Sequence, residues 1–271
     1  MGGAHSGRQS PVLPWTVRAK LAALAALQRR DGSIRRRLFS LVDRLCRELG
    51  AVVVSVDYRL APRHRFPAAY DDGVVALRYL GASSALPAVP AAVDLSSCFL
   101  AGDSAGGNIA HHVAQRWAAS TPATSSPPVR LRVAGVILVQ PFFGGEERTG
   151  AEVALDKACR SLSMAAADYY WREFLPEGAT RDHAAAHVCG EDAEVAESFP
   201  PAMVVIGGFD LLKDWQARYV EALRRMGKPV KVVEYPDAIH GFHVFPEIDD
   251  TGKLVEEMKL FVGEHRSKCV S

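Results

Sequence analysis

The sequence carries no surplus of charge of either sign. Its 271 residues include 32 lysines and arginines and 31 aspartates and glutamates, so the formal net charge at pH 7 is +1. Proteins that bind nucleic acids through the phosphate backbone usually have a basic excess. We therefore expect no nucleic-acid partner, and we interpret the basic cluster Arg35–Arg37 as the solvent-facing side of an amphipathic helix.

Cysteine is scarce and scattered. The five cysteines are odd in number and none stands in C-x-x-C spacing: Cys46, Cys98, Cys159, Cys189 and Cys269. This pattern argues against a disulfide framework and against a structural zinc site, both of which need paired cysteines. It predicts free thiols in a reducing compartment, which is the cytoplasm or alternatively the nucleus.

Long hydrophobic runs are absent as well. A membrane-spanning helix needs about 20 consecutive apolar residues, and no run approaches that length. The apolar segment Leu21–Leu27 is short and lacks a small-residue cleavage pattern after it, so we expect neither a membrane span nor a signal peptide. The start of the sequence does match the loose N-myristoylation pattern, with Gly2 as the acceptor, and one such chain would anchor only weakly.

What the sequence does contain is an alternation of β-branched runs with helical patterns. Strands are predicted at Ala51–Tyr58, Cys98–Ala101, Val133–Gln140, Ala202–Ile206 and Val230–Tyr235. Helices are predicted at Ala68–Leu80, Gly107–Ala119, about 151–174, Leu211–Met226 and Gly252–His265, after two helical patterns between Pro14 and Val42. Such alternation indicates an α/β fold, in which helices cover both faces of a mostly parallel sheet.

The segment Gly102–Gly106 reads G-x-S-x-G between a predicted strand and a predicted helix. A turn of this type lifts a serine hydroxyl out of the end of a sheet, so Ser104 is a candidate nucleophile. Functional residues of open parallel sheets collect at the carboxyl ends of the strands. Asp210 and His240 each follow a predicted strand, and the chain order Ser, Asp, His is that of an acyl-transfer triad. We predict that Ser104, Asp210 and His240 are the catalytic residues.

Other roles for the acidic residues stay open at this point. Asp210 is a suitable cap for the helix that begins at Leu211. Asp214 lies inside that helix and Asp237 precedes the histidine loop, and both are alternative acids.

The histidines raise the question of a metal. His240 and His243 have H-x-x-H spacing, but no third ligand of suitable type stands nearby, so we expect no metal and no other cofactor. His111 and His112 follow the serine on a helix and are interpreted as structural. The pair His183 and His187 is interpreted as a surface feature.

The predicted chemistry also needs donors for an oxyanion. His240 would take the proton of Ser104 during attack on an ester, Asp210 would orient the imidazole, and the backbone N–H of Ala105 would be one oxyanion donor. Further donors usually come from a His-Gly-Gly-Gly loop after an earlier strand. The sequence has no such loop, because none of its Gly-Gly pairs follows a histidine: Gly2-Gly3, Gly106-Gly107, Gly144-Gly145 and Gly207-Gly208.

Four segments resemble the plant carboxylesterase family of α/β-hydrolases, relatives of hormone-sensitive lipase and of the gibberellin receptors: Val54–Pro62, Pro67–Asp72, Gly102–Asn108 and Ile239–Phe242. The resemblance implies an α/β-hydrolase fold with a helical cap and the hydrolysis of carboxylic esters. The region Leu13–Ser33 is similar to the N-terminal helices that cover the pocket in the receptor branch. We therefore expect a disordered N-terminus plus cap helices over residues 1–43, and a core over 44–271 with a cap insertion at about 144–190.

The resemblance also implies an internal absence. In the family, several tens of residues separate the N-terminal region from the helix that ends at Gly50, and they carry the first three strands and the oxyanion loop. Here Leu41–Asp43 is joined directly to Arg44–Cys46. We expect a gap in the sheet between strand 51–58 and the strand before Ser104, with unpaired edges, and impaired turnover.

Two functions of different classes remain. The first is a serine carboxylesterase, whose partner is a small-molecule ester. The second is a receptor-like protein that binds a hormone-like ligand without turnover; the resemblance implies that such receptors replace the catalytic histidine, so the presence of His240 favours hydrolysis. A third alternative is a truncated chain without function.

Five residues are candidate substrate contacts. They adjoin the proposed catalytic residues or lie in the predicted cap: Gly241, Phe242, Asp103, Trp15 and Tyr170. The aromatic cluster around Tyr170 suggests an apolar acyl or aryl group, and core packing is the alternative explanation for it.

Overall fold

Four parallel strands form the sheet. The structure is a computed structural model and describes residues 42, 44–82, 93–120, 131–159, 161–190 and 192–266. The strands are β1 (Cys98–Asp103), β2 (Val133–Val139), β3 (Ala202–Phe209) and β4 (Val230–Ile239), and they lie side by side in that order. The strand predictions for these four segments are confirmed. Because all four run in the same direction, their carboxyl ends meet at one edge of the sheet.

Seven helices accompany the sheet in the described part of the chain. They are α1 (residues 44–49), α2 (Ala68–Ala82), α3 (Ala105–Ser120), α4 (Gly150–Leu155), α5 (Met164–Phe174), α6 (Lys213–Arg225) and α7 (Asp249–His265), with short 3-10 helices at Leu95–Ser97 and Phe242–Val244. The helix predicted over about 151–174 is two helices. A capping box at Thr149 begins α4, and the Ser163 side chain caps the start of α5, so the chain turns between them.

Side chains that alternate along β2 and β3 enter two different cores. Ile137 and Met203 pack on one face of the sheet with α7. Leu138 and Val204 pack on the other face with α3 and α6, where Trp215 and Tyr219 are buried. This alternation confirms the predicted layers, because a strand covered by helices on both sides must be apolar on both sides.

The prediction of a strand at Ala51–Tyr58 is wrong. The structure forms no strand there, and residues 51–57 are exposed, with Val52 at 46% and Val54 at 49% exposure. A strand needs a hydrogen-bonded neighbour, and a β-branched sequence alone does not supply one. In the described residues β1 is the outer strand of the sheet on this side, and no strand lies between β1 and this segment.

Several predictions concern residues that the structure does not describe. The helical patterns between Pro14 and Val42 lie outside the described residues, apart from Val42, which is helical. The same holds for the residues 1–13. Within the described ranges, no helix combines the length and the apolar composition that a membrane crossing requires.

The contrast between the exposed valines and the buried valines can be tested by making the same substitution in each segment. Val54→Ser, in the exposed segment, should change the free energy of unfolding by less than about 0.5 kcal/mol, because no packing is lost. Val204→Ser, the matched change in β3, should cost about 3 kcal/mol, because it opens a cavity and buries a hydroxyl. Urea unfolding of both variants measures the difference. Equal losses would show that residues 51–58 are packed in solution.

Candidate active site

Ser104 lies in a tight turn between β1 and α3. Its φ angle is +49°, a conformation that costs energy for any residue other than glycine. Gly102 is required here, because a Cβ at this position would overlap the backbone of Gly106. The Ser104 N–H donates to the carbonyl of Val139 at 2.9 Å, which ties the turn to β2. The G-x-S-x-G sequence therefore forms a strained elbow at the end of a strand.

A continuous chain of hydrogen bonds joins the three residues singled out in the sequence. Ser104 Oγ lies 2.9 Å from His240 Nε2, and His240 Nδ1 lies 2.9 Å from Asp210 Oδ2. Each residue directly follows its strand, because β3 extends to Phe209 and β4 extends to Ile239. The shared edge of the parallel sheet thus brings together side chains from three distant parts of the sequence.

Asp210 is completely buried, and its carboxylate is surrounded by donors. The Leu212 N–H donates to Oδ1 at 2.9 Å, and Gln216 Nε2 donates to Oδ2 at 3.0 Å. Asp210 therefore also holds the turn before α6, which is a form of the capping role considered above. The alternative acids lie elsewhere, since Asp214 accepts the Ala151 N–H at 2.7 Å and Asp237 is exposed on β4.

The surroundings of His240 favour its charged form. Burial acts to lower the pKa of this imidazole, but the negative charge and hydrogen bond of Asp210, with the charge of Asp103, raise the pKa above its usual value. The imidazole can therefore accept a proton from Ser104 and hold it. This is the property that a general base requires.

Two glutamines support the site, and sequence reasoning missed both. Gln140 is completely buried with φ +46°; its Nε2 donates to the Ile239 carbonyl at 3.1 Å and its Oε1 accepts the Gly241 N–H at 2.7 Å. Its two hydrogen bonds therefore hold the backbone on both sides of His240 in place. Gln216 Nε2 donates to Asp210 Oδ2 and so orients that carboxylate. Gln140 carried a usable signal, because it is a polar residue that ends an otherwise apolar strand run.

The predicted substrate contacts have different placements. Gly241 adopts φ +75°, and Tyr170 is 45% exposed on α5 near the ring of Phe142. Asp103 has its carboxylate 3.3 Å from His243 Nε2. The prediction for Phe242 needs correction, because its side chain is completely buried against Tyr235 and faces the core. Trp15 lies outside the described residues.

The donors available for an oxyanion can also be assigned. Ala105 is exposed at the first turn of α3, where N–H groups have no intrahelical acceptor. Gly144 and Gly145 pack against tryptophan rings, and Gly207 and Gly208 belong to β3. Among the described residues, therefore, no Gly-Gly pair forms a free donor loop beside Ser104.

The remaining histidines have structural contacts. His111 Nδ1 lies 2.8 Å from the Tyr219 hydroxyl, and His112 Nε2 lies 3.1 Å from the Ala185 carbonyl. Burial lowers the pKa of both imidazoles, that of His112 to about 4. In the described part of the chain, no three histidine, cysteine or acidic side chains cluster in a way that would hold a metal ion.

Comparison with known proteins gives a consistent picture. Residues 33–244 match the family described as alpha/beta hydrolase fold. The chain is 42% identical to gibberellin receptor GID1C of Arabidopsis thaliana, over 82% of this chain and 63% of the receptor. It is 38% identical to carboxylesterase 20 of the same plant, over 74% of this chain and 61% of that enzyme. The chain thus spans less than two thirds of these relatives.

A solved structure shares the architecture. The hyperthermophilic esterase from the archaeon Pyrobaculum calidifontis aligns with a TM-score of 0.68 and 27% identity, over 83% of this chain and 68% of the esterase.

The role of Gln140 can be tested by removing its two hydrogen bonds. Gln140→Leu should lower the free energy of unfolding by roughly 2 to 4 kcal/mol, because the half-buried Gly241 N–H and the buried Ile239 carbonyl lose their partners. Gln115→Leu is the matched control, since Gln115 is only half-buried and accepts one hydrogen bond, from Ala196 N–H; it should cost about 1 kcal/mol. Chemical denaturation gives both values. A Gln140 loss no larger than the control would contradict the assignment.

Proposed function

This chain belongs to the alpha/beta hydrolase fold family, and we propose that it is a serine carboxylesterase acting on small carboxylic esters. The observation that carries the proposal is the hydrogen-bonded chain from Ser104 through His240 to Asp210, at 2.9 Å for each step to the imidazole. The relatives and solved structures that are esterases support the same reaction class.

In the proposed mechanism Ser104 Oγ attacks the ester carbonyl while His240 Nε2 takes its proton. The tetrahedral intermediate collapses to an acyl-enzyme as His240 returns that proton to the departing alcohol. Water then attacks the acyl carbonyl and gives its proton to His240, which returns that proton to Ser104 Oγ as the carboxylic acid leaves. Asp210, fixed by Leu212 and Gln216, holds the imidazole in the tautomer that presents Nε2 to the serine and stabilises the imidazolium.

Stabilisation of the oxyanion limits the proposed reaction in this protein. The Ala105 N–H supplies one donor at the N-terminus of α3, where the helix dipole adds a partial positive charge. Each missing donor costs about 100- to 1000-fold in rate. We therefore propose that acylation of Ser104 occurs, but that turnover is slow compared with esterases that carry the additional loop.

The proposed substrate is an ester with an apolar acyl or aryl group. Tyr169 and Tyr170 are half-exposed on α5, and Tyr170 lies near Phe142, which follows β2 at the site edge. Trp171 and Phe174 instead pack in a core with Tyr70, so the aromatic cluster is divided between core and surface. In this proposal the exposed pair lines the acyl site.

The nucleophile can be tested with p-nitrophenyl acetate and butyrate. Rapid mixing should give a burst of p-nitrophenol close to one equivalent per chain, followed by slow turnover, and Ser104→Ala should abolish the burst. Ser198→Ala is the matched control, because Ser198 is an exposed serine whose hydroxyl donates to the Ala118 carbonyl; it should leave the burst unchanged. A burst that survives Ser104→Ala would refute the assignment.

The proposed base makes a prediction for pH dependence. Hydrolysis requires neutral His240, so kcat/KM should rise with pH through a pKa above the usual histidine value of about 6.5. Asp210→Asn removes the charge that raises this pKa and the correct tautomer, and should lower kcat by about 10⁴-fold. Stopped-flow rates between pH 5 and 9 measure both effects. An acidic limb centred below pH 6 would contradict the proposed electrostatics.

A receptor-like function is the second candidate. It is favoured by one observation, the higher identity to gibberellin receptor GID1C than to carboxylesterase 20. In this case the chain would bind a hormone-like carboxylic acid at the same edge of the sheet without turnover. Isothermal titration with gibberellins separates the two functions, because a receptor-like chain binds them saturably and shows no burst with the nitrophenyl esters.

A further inference from the structure

A second carboxylate–imidazole contact lies directly beside the Ser104–His240 bond. Asp103 Oδ2 is 3.3 Å from His243 Nε2. Asp103 immediately precedes Ser104 in the chain, and His243 follows His240 by three residues in the 3-10 helix Phe242–Val244. The same two loops, at the ends of β1 and β4, are therefore joined at two neighbouring points.

The imidazole of His243 is held firmly. It is 4% exposed and packs at 5.8 Å against the ring of the completely buried Phe242. The hydroxyl of Thr251 donates to the carbonyls of Phe242 and Phe245, which fixes the loop to α7. The Asp103 side chain is different, because it is 40% exposed at the end of β1. A fixed imidazole thus restrains a carboxylate that is otherwise half in solvent.

The elbow needs such a restraint. Ser104 holds a strained φ of +49°, and β1 has a strand neighbour on one side only in the described residues. β2 and β3 lie between β1 and β4, so no direct backbone ladder joins the two strands whose ends carry Ser104 and His240. Side-chain contacts between the two loops therefore add a direct restraint on the distance from Ser104 to His240.

We propose that Asp103 and His243 are positioning residues, which hold the Ser104 elbow against the His240 loop and place a second carboxylate beside the His240 imidazole. The inference rests on the proposed esterase function. Neither residue exchanges a proton with the substrate in this scheme. The pair acts on the reaction through the distance and the charge that it fixes around Ser104 and His240.

The electrostatics agree with this geometry. His240 faces two carboxylates, Asp210 from the turn after β3 and Asp103 from the end of β1, and the charges of both raise its pKa. Although 40% of the Asp103 side chain is exposed, neighbouring residues partly desolvate its carboxyl group, which opposes ionisation. The contact with His243 and the charge of His240 outweigh this effect and lower the pKa of the carboxyl group, so it is ionised at neutral pH. Tyr58 lies near Asp103, and burial together with the Asp103 charge raises the pKa of its phenol.

Three variants test the pair through kinetics. Asp103→Asn keeps the shape and removes the charge; it should lower the acylation rate roughly tenfold and move the acidic limb of its pH profile down by roughly half a unit. His243→Phe should give a similar loss in rate, because Asp103 loses its partner. His243→Gln retains an N–H donor at this place and should recover most of the rate. Asp237→Asn, an exposed carboxylate on β4, is the control and should change neither quantity.

A merely structural role predicts a different pattern. Asp103→Asn and His243→Phe would then lower the melting temperature, while the acidic limb of the pH profile would stay in place and His243→Gln would give no recovery of rate. That result would overturn the proposal. Comparison of Asp103→Asn, His243→Phe and the double variant adds a further check, because a coupled pair predicts that the double variant is no slower than the slower single variant.

A measurement without turnover separates this proposal from the esterase function. In a Ser104→Ala background, NMR titration of the His240 ring proton should show a lower pKa when Asp103→Asn is added, and no change when Asp237→Asn is added. If the unaltered chain hydrolyses no ester but this shift is present, the esterase function fails and the positioning pair stands. If ester hydrolysis is present and the shift is absent, the pair is refuted. Circular dichroism melts of every variant establish folding, and His243→Phe tests the contact from its other side if Asp103→Asn does not fold.

Discussion

The carboxyl group of Asp210 is completely buried, so its oxygens need hydrogen-bond donors from the protein, and the rest of the site is arranged by that requirement. A charge without contact to water is costly unless hydrogen bonds replace its hydration. Leu212 and Gln216 supply two of these bonds from the turn and helix after β3, and His240 supplies the third from the end of β4. The need to satisfy one carboxylate thus fixes two loops and orients the imidazole toward Ser104.

Much of this arrangement can be predicted from the sequence, because it follows from local patterns. Four apolar runs become the strands, and the two central ones, β2 and β3, are buried on both faces. Polar residues after three of the strands meet at one edge because parallel strands share it. The prediction at residues 51–58 failed for a related reason: a β-branched run reports the preference of a segment and says nothing about whether a neighbouring strand is present. The break between α4 and α5 depends on the caps Thr149 and Ser163, which are local signals that the broader helical pattern concealed.

The contacts that could not be predicted are those that depend on the packing of distant segments. Gln140 bonds the backbone of Ile239 and Gly241, and Gln216 bonds the Pro141 carbonyl as well as the nearby Asp210. Nothing around the two glutamines in the sequence specifies the distant partners. The prediction for Phe242 failed because it relied on a neighbour in the sequence. Its place beside His240 in sequence suggested a substrate contact, whereas the turn at Gly241 directs the ring into the core. Adjacency in sequence locates a loop but not the direction of its side chains.

The exposed valines at residues 51–58 and the outer edge of β1 have a consequence for handling the protein. An apolar segment of high β-propensity, together with a strand edge that offers free backbone groups in the described part of the chain, is the combination from which intermolecular β-pairing starts. Such surfaces bind chaperones during synthesis and promote aggregation as concentration rises. We therefore expect the fraction of single molecules to fall as the protein concentration rises, unless other proteins shield these apolar segments.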